Sequence, residues 1–267
     1  MLTLDSAHFL REAVVDIDAA VVGISSTRWT HIPAAEADPT EAVRIMSDHR
    51  FDILPIAAPG GVKEYFHTKV WDDYSTVIRQ RITHRDVISF ATPLRDVIKG
   101  FALNSRHFYF LGNERRIVGL ISVANLNCRQ VRVYLFSLLS ELEIELGKLI
   151  SDRCGESELL QLTFGTDLKP KYEGVKQRYN SDKAKGIDVP FVEYLYLSDM
   201  IKVIRKKKLF DRLGYQSAGK FEDAFGSLVE LRDAVAHPTR SLIVDSKSCD
   251  KLWSRIDRIE EALFHLR

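Results

Sequence analysis

Asp38-Pro39-Thr40-Glu41-Ala42-Val43-Arg44-Ile45-Met46 is followed by Phe51-Asp52-Ile53-Leu54-Pro55-Ile56, a Pro59-Gly60-Gly61 turn and a short run to Trp71. The same order returns about 55 residues later. Thr92-Pro93-Leu94-Arg95-Asp96-Val97-Ile98 leads to Phe108-Tyr109-Phe110-Leu111, a Gly112-Asn113 turn and Ile117-Val118-Gly119-Leu120-Ile121-Ser122. Each copy reads as a capped helix with Pro at its first position, a strand, a tight turn and a second strand. A repeat of this length marks a duplicated structural unit. Upstream, Asp5 is expected to cap a helix with Phe9, Leu10, Ala13, Val14 and Ile17 on one face. Gly23 to Pro33 reads as a loop.

Strand patterns vanish after Asn127. Leu135, Leu138, Leu142, Leu146 and Leu149 recur at three- and four-residue spacing, so Val131 to Arg153 is expected to form a long amphipathic helix. Further helical patterns cover about Phe191–Leu213, Lys220–Ala236 and Lys247–Leu266. Thr166 to Pro190 is polar and reads as a surface loop or a short helix. The expected fold is therefore α+β in front and an all-α helical bundle behind. Residues 1–27 form a lead-in, 28–128 the duplicated module and 129–267 the helical domain. No Gly/Ser linker separates the halves, so the long helix is expected to make a stiff connection.

The 267 residues suffice for two domains with sizeable cores. A net charge of +1 points to neither nucleic acid nor membrane, so any polyanion site must be a local patch. Cys128, Cys154 and Cys249 form no CxxC, which fits a reducing compartment without a disulfide scaffold. There is no apolar run of spanning length and no signal-peptide pattern. A cytoplasmic protein without membrane contact is expected.

Gly119-Leu120-Ile121-Ser122-Val123-Ala124-Asn125-Leu126 has a hydroxyl at a helix start and a side-chain amide one turn later. A hydroxyl there can join backbone N–H groups in holding a phosphate. The duplicated half resembles a tandem pair of cystathionine-β-synthase-type (CBS) domains, built of βαββα repeats. The resemblance covers about residues 28 to 128. It implies an adenine nucleotide between the repeats, with Ser122 at phosphate, Asn125 at ribose and Gly119 in the same nucleotide-binding motif. In the first repeat Thr68 stands in register with Ser122, but Trp71 and Tyr65 replace the ribose ligand and the glycine, so that site is expected to be altered or lost. Ser122 and Asn125 also fit an ordinary N-cap. Trp29, Phe108 and Tyr109 are candidates for stacking on a base, though aromatic residues in strands usually belong to the core.

Arg232-Asp233-Ala234-Val235-Ala236-His237 closes a helical pattern, and Pro238 follows. Phe221, Phe225, Leu228 and Val235 make one face apolar and leave Arg232 off it. Imidazole is the one side chain with an ordinary pKa near neutrality. It can take the proton of an RNA 2′-hydroxyl or give one to the leaving 5′-oxygen. Arg232 can neutralise charge on a phosphorane-like transition state. The rear half resembles the HEPN superfamily, helical bundles whose ribonuclease members carry Arg-x4-6-His at a helix end. Arg232 and His237 match that motif, and Asp233 matches the polar residue after the Arg. The resemblance implies a homodimer in which two protomers pool their motifs. A helix-terminal His on the dipole and a surface Arg pair give the same spacing without catalysis.

Arg205, Lys206, Lys207 and Lys208 form a basic run suited to RNA phosphates, and also suited to a solvated helix face. Glu141 and Glu145 stand one turn apart and are candidates for a carboxylate pair or to orient Arg232, though most such pairs on a Leu-rich helix face solvent. His49, His67, His84 and His107 fall in no ligand spacing, so no metal is expected. These readings combine into a nucleotide-regulated, metal-independent endoribonuclease. It would use an Arg/His composite site at a dimer interface, give 2′,3′-cyclic phosphate products, and act on RNA rather than DNA. The alternative is a non-catalytic, nucleotide-responsive dimer whose helical domain binds a partner protein or RNA.

Overall fold

The structure, a computed structural model, describes residues 17–70, 73–104, 106–113, 116–164, 170–187 and 189–267. The helix expected from Asp5 lies outside them except for Ile17, as do Trp71 and residues 166–169 and 188 of the polar stretch. Among the described residues, strands occupy the front of the chain and helices the rear, an α+β part followed by an all-α part. The chain divides into two compact units. One holds the residues up to Tyr134 with Ser241–Trp253, the other Leu135–Arg240 with Ser254–Arg267.

The first unit opens with α1 (Ala19–Val22), β1 (Ile24–Ser25) and β2 (Ile32–Pro33). The first repeat follows as α2 (Pro39–His49), β3 (Ile53–Ala57) and β4 (Glu64–Thr68). β5 (Val77–Arg81) and β6 (Val87–Ile88) then lead to the second repeat, α3 (Leu94–Asn104), β7 (Phe108–Asn113) and β8 (Arg116–Ser122). Asp38 caps α2 by accepting from the Thr40 and Glu41 N–H groups at 2.8 and 3.3 Å. Pro39 stands where no intrahelical donor is needed.

The eight strands form two four-stranded sheets, ordered β2-β3-β4-β5 and β1-β8-β7-β6. In each, one pair is parallel (β2–β3, β6–β7) and the hairpin is antiparallel. The lead-in strands are exchanged. β1 precedes the first repeat but pairs with β8 of the second, and β5 precedes the second but pairs with β4 of the first. β1 lies so close to β8 that a Cβ on Gly119 would stand 2.6 Å from the Ile24 carbonyl oxygen.

Side chains alternate across each strand. Leu54, Ile56 and Phe66 face Ala42 and Met46 of α2. Ile53 and Tyr65, on the opposite face, pack against Phe110 and Leu120 of the other sheet. Tyr65 makes edge contacts with Phe108 and Phe110, both at 5.3 Å, and burial pushes its phenol up to about 12. The departure of the first repeat from the Gly119 pattern therefore has a packing reason: Tyr65 fills the space between the sheets.

β8 runs through a 3₁₀ turn (Val123–Asn127) into α4 (Arg129–Ser151). The Asn127 amide oxygen accepts from the Leu242 and Ile243 N–H groups at 2.7 and 3.0 Å, and its nitrogen donates to the Ile243 carbonyl at 2.9 Å. These bonds hold the returning segment in the first unit. Trp253 adds to them beneath the cations of Arg95 and Lys99, at 5.1 and 5.5 Å from its ring.

The second unit contains the later part of α4, α5 (Glu156–Phe164), α6 (Pro170–Ala184), α7 (Leu197–Lys206), α8 (Ala218–Ala236) and the later part of α9 (Ser246–Leu266). The expected Leu stripe of α4 is buried at Leu135, Leu138, Leu142 and Leu146. On α8, Phe221, Phe225, Leu228 and Val235 are buried as their spacing implies. The polar stretch is largely the helix α6, anchored by Val175 and Tyr179 one turn apart.

Asn127→Ala strands two N–H groups and a carbonyl, and is expected to lower stability by about 1–3 kcal/mol in chemical denaturation. An unchanged midpoint would contradict the clamp. Asp86 gives a second expectation. Burial raises its carboxyl, but hydrogen bonds from Thr83 (2.8 and 2.7 Å) and the Arg106 guanidinium (2.7 Å) outweigh this and hold it below the ordinary range. A lowered native pKa stabilises the fold above the unfolded value of about 3.9, and that stability is lost as pH falls through the native value. Asp86→Asn should reduce stability at neutral pH and flatten its acid dependence; an unchanged acid limb would contradict the assignment.

Candidate functional site

The first unit holds a cavity of about 830 Å³ between the two hairpins. The β3–β4 turn contributes Gly60, Gly61 and Lys63, and the β7–β8 hairpin contributes Gly112, Arg116 and Ile117. β5 and the turn after it add Arg81, Thr83 and His84, and the lead-in adds Trp29 and His31. No Asp or Glu is among the described residues that line it. The side chains of Lys63 and Arg81 make no hydrogen bond or ion pair among the described residues. Two exposed cations beside one indole face suit a multiply charged anion carrying an aromatic group. Trp29 itself packs edge-on against Phe110 at 6.3 Å.

The residues singled out from sequence in this unit stand elsewhere. Asn125 Oδ1 accepts from the Ser122 N–H at 2.7 Å and from the Ser122 hydroxyl at 3.0 Å, a reciprocal cap on the turn after β8. Neither residue lines the cavity, nor do Gly119 and Thr68. Thr68 is buried at the end of β4, with its hydroxyl 3.5 Å from Asp52. Phe108 packs on Tyr65, and Tyr109 stacks on Phe101 at 5.2 Å. Of the three aromatic candidates, only Trp29 reaches the cavity.

In the second unit, Arg232 sits near the end of α8 with its side chain 37% exposed. Its contacts are long. Nε is 3.9 Å from Glu143 Oε1, Nη1 is 3.7 Å from Asp233, and the guanidinium lies over the Tyr196 ring at 5.7 Å. None is a hydrogen bond, so among the described residues the guanidinium donors are uncommitted. A guanidinium held by a ring and distant carboxylates keeps its fork of N–H groups for an incoming oxyanion. His237 is the C-cap of α8; its N–H donates to the Asp233 carbonyl at 3.1 Å and its side chain is exposed. It is placed favourably for the helix dipole as well as for contact with a ligand.

Glu143 is the residue that the sequence reading missed. It lies on α4 and borders a second cavity of about 580 Å³, with Ile144, Val192, Leu195 and Met200 as apolar wall. Its Oε1 is buried without a hydrogen bond. Burial pushes the carboxyl above the ordinary range, and the Arg232 charge draws it back only in part. The flanking carboxylates considered from sequence are engaged elsewhere: Glu141 pairs with Arg267, and Glu145 with Lys148 at 2.7 Å.

The basic run is largely spent within the unit. Arg205 pairs with Glu222 at 3.1 Å, Lys206 donates to the Leu162 carbonyl at 2.6 Å, and Lys207 pairs with Glu158 at 2.6 Å. Lys208 is exposed at a left-handed backbone position. Among the described residues no group of His, Cys, Asp and Glu could hold a metal ion, and no helix is long and apolar enough to cross a membrane.

No family model matches the chain, and no curated protein matches it. The likenesses to CBS pairs and to HEPN bundles therefore rest on the sequence motifs alone.

If the cavity lined by Lys63 and Arg81 is an anion site, Lys63→Ala and Arg81→Ala should each weaken ATP binding about tenfold or more in calorimetry, one charged hydrogen bond being worth about 1.5–3 kcal/mol. Equal affinity in the double variant and the wild type would remove the cavity from consideration.

Proposed function

We propose that this chain is a nucleotide-regulated, metal-independent endoribonuclease of the cytoplasm. In this reading the first unit is a CBS-type sensor that takes an adenine nucleotide. The second is a HEPN-type effector that cuts RNA with Arg232 and His237, assisted by Asp233. The observation that carries the reading is the Arg232 guanidinium, held in place with its donors uncommitted, one turn before a solvent-facing imidazole.

The chemistry follows from those groups. The RNA 2′-oxygen attacks the adjacent phosphorus, the bond to the 5′-oxygen breaks, and a 2′,3′-cyclic phosphate and a 5′-hydroxyl result. His237 serves in proton transfer, and Arg232 covers the charge that grows on the non-bridging oxygens. DNA lacks the nucleophile. A two-fold homodimer would bring two Arg232–His237 pairs to one RNA strand. The cavity lined by Lys63 and Arg81 supports the nucleotide reading better than Ser122 and Asn125 do, because those two satisfy each other.

A second reading keeps the nucleotide response and replaces cleavage by binding of a partner protein or RNA. The intrachain engagement of Arg205, Lys206 and Lys207 favours the partner-protein form of this reading, because it leaves little of the basic run for RNA phosphates.

Purified protein incubated with mixed RNA, with and without adenine nucleotides, separates the two. His237→Ala should lower the rate about 10²–10⁴-fold and Arg232→Ala comparably, with unchanged circular dichroism. Chelator should have no effect, and DNA should stay intact. Cleavage that survives both substitutions would come from a contaminant or a different site, and none under any nucleotide condition would favour the binding reading.

A further inference from the structure

We infer that Glu143 is a catalytic residue of the Arg232 site, the group that accepts the 2′-hydroxyl proton while His237 serves the leaving oxygen. The inference rests on the RNA-cleaving reading and adds a residue to it. Transesterification moves two protons: one leaves the attacking oxygen, and one arrives on the departing oxygen. A single imidazole cannot hold both roles in one step, and Glu143 is a second titratable group beside Arg232 within the same protomer.

Glu143 has the position for it. Its carboxylate is 3.9 Å from Arg232 Nε, so a phosphodiester bound by that guanidinium brings its neighbouring ribose to the carboxylate. The adjoining cavity of about 580 Å³ has an apolar wall and lies in the size range of small-molecule sites. Unlike Glu141 and Glu145 on the same helix, Glu143 has no short partner among the described residues, and its Oε1 is buried without a donor there. Burial raises its proton affinity, as suits a base working near neutrality. The charged and titratable groups around it are Arg232 and Asp233 of α8, Glu193 and Tyr196 ahead of α7, and Lys148 and Asp152 at the end of α4. Lys148 is taken by Glu145.

The step balances. The Glu143 carboxylate takes the 2′-hydroxyl proton, and the freed electron pair forms the bond to phosphorus. The bond to the 5′-oxygen breaks, and that oxygen takes a proton from the His237 imidazolium. Glu143 is left protonated and His237 neutral, and exchange with water resets both.

The test is the pH–rate profile of RNA cleavage by the full chain and its Glu143→Gln and Glu143→Asp variants, with thermal unfolding as the check on folding. Gln should lower kcat about 10²–10⁴-fold and abolish the acid limb of the profile, while Asp restores part of the rate with that limb. Wild-type rate and profile in Gln, with cleavage still dependent on His237, would overturn this inference and leave the ribonuclease reading standing. A slower Gln variant with an unchanged acid limb would also overturn it, by assigning Glu143 a structural role. If Gln fails to fold, the Asp profile decides in the same way. Absence of cleavage by the wild type would overturn both proposals.

Discussion

Each half of the duplicated unit completes its sheet with a strand that precedes the other half. β5 closes the first sheet and β1 closes the second. The second sheet is complete only with β1, which lies ahead of the whole first repeat, whereas β2 to β5 follow one another along the chain. Exchange also brings the sheets together on the side opposite α2, where Tyr65 and Phe110 fill the interval. Truncating a buried aromatic residue of this kind costs about 3–5 kcal/mol, a large part of a domain's net stability. The cavity between the hairpins follows from the same arrangement, because the two glycine-bearing hairpins and the lead-in segments meet around one space.

The second unit presents a different physical problem: a cation and a carboxyl on separate helices, near each other but not bonded. A tight Arg–carboxylate pair would lock both side chains and leave neither for a ligand. At 3.9 Å the charges of Arg232 and Glu143 still interact, yet no hydrogen bond joins them, and among the described residues the buried Glu143 Oε1 has no donor. An unmet buried acceptor usually costs about 1–3 kcal/mol. Strain of that size persists at functional sites, where a bound molecule can relieve it.

The parts of the fold that depend on local chemistry were legible in the sequence. Asp38 and Pro39 announce α2, and Phe221, Phe225, Leu228 and Val235 announce the buried face of α8. What long-range pairing decides was not legible. β5 is mostly exposed, with no apolar alternation, and is held by its backbone ladder and the Arg79–Glu64 pair at 2.6 Å. The return of Ser241–Trp253 depends on Asn127, more than 100 positions earlier, whose three hydrogen bonds have no sequence signature. In the candidate site, Arg232 and His237 could be found by spacing, whereas Glu143 was passed over for its neighbours. A signal for it existed: Leu139, Glu143, Leu146 and Ile150 share one helix face, and the other three are buried. An acid inside a Leu stripe is a stronger indicator than two acids one turn apart.

The central claim is that the Arg232 site breaks RNA by attack of the 2′-oxygen. Mass spectrometry of the fragment ends tests it most directly. The account requires 2′,3′-cyclic phosphate and 5′-hydroxyl termini, formed by the wild type and lost in His237→Ala. Fragments ending in 3′-hydroxyl and 5′-phosphate would contradict it, because water rather than the 2′-oxygen would then be the nucleophile.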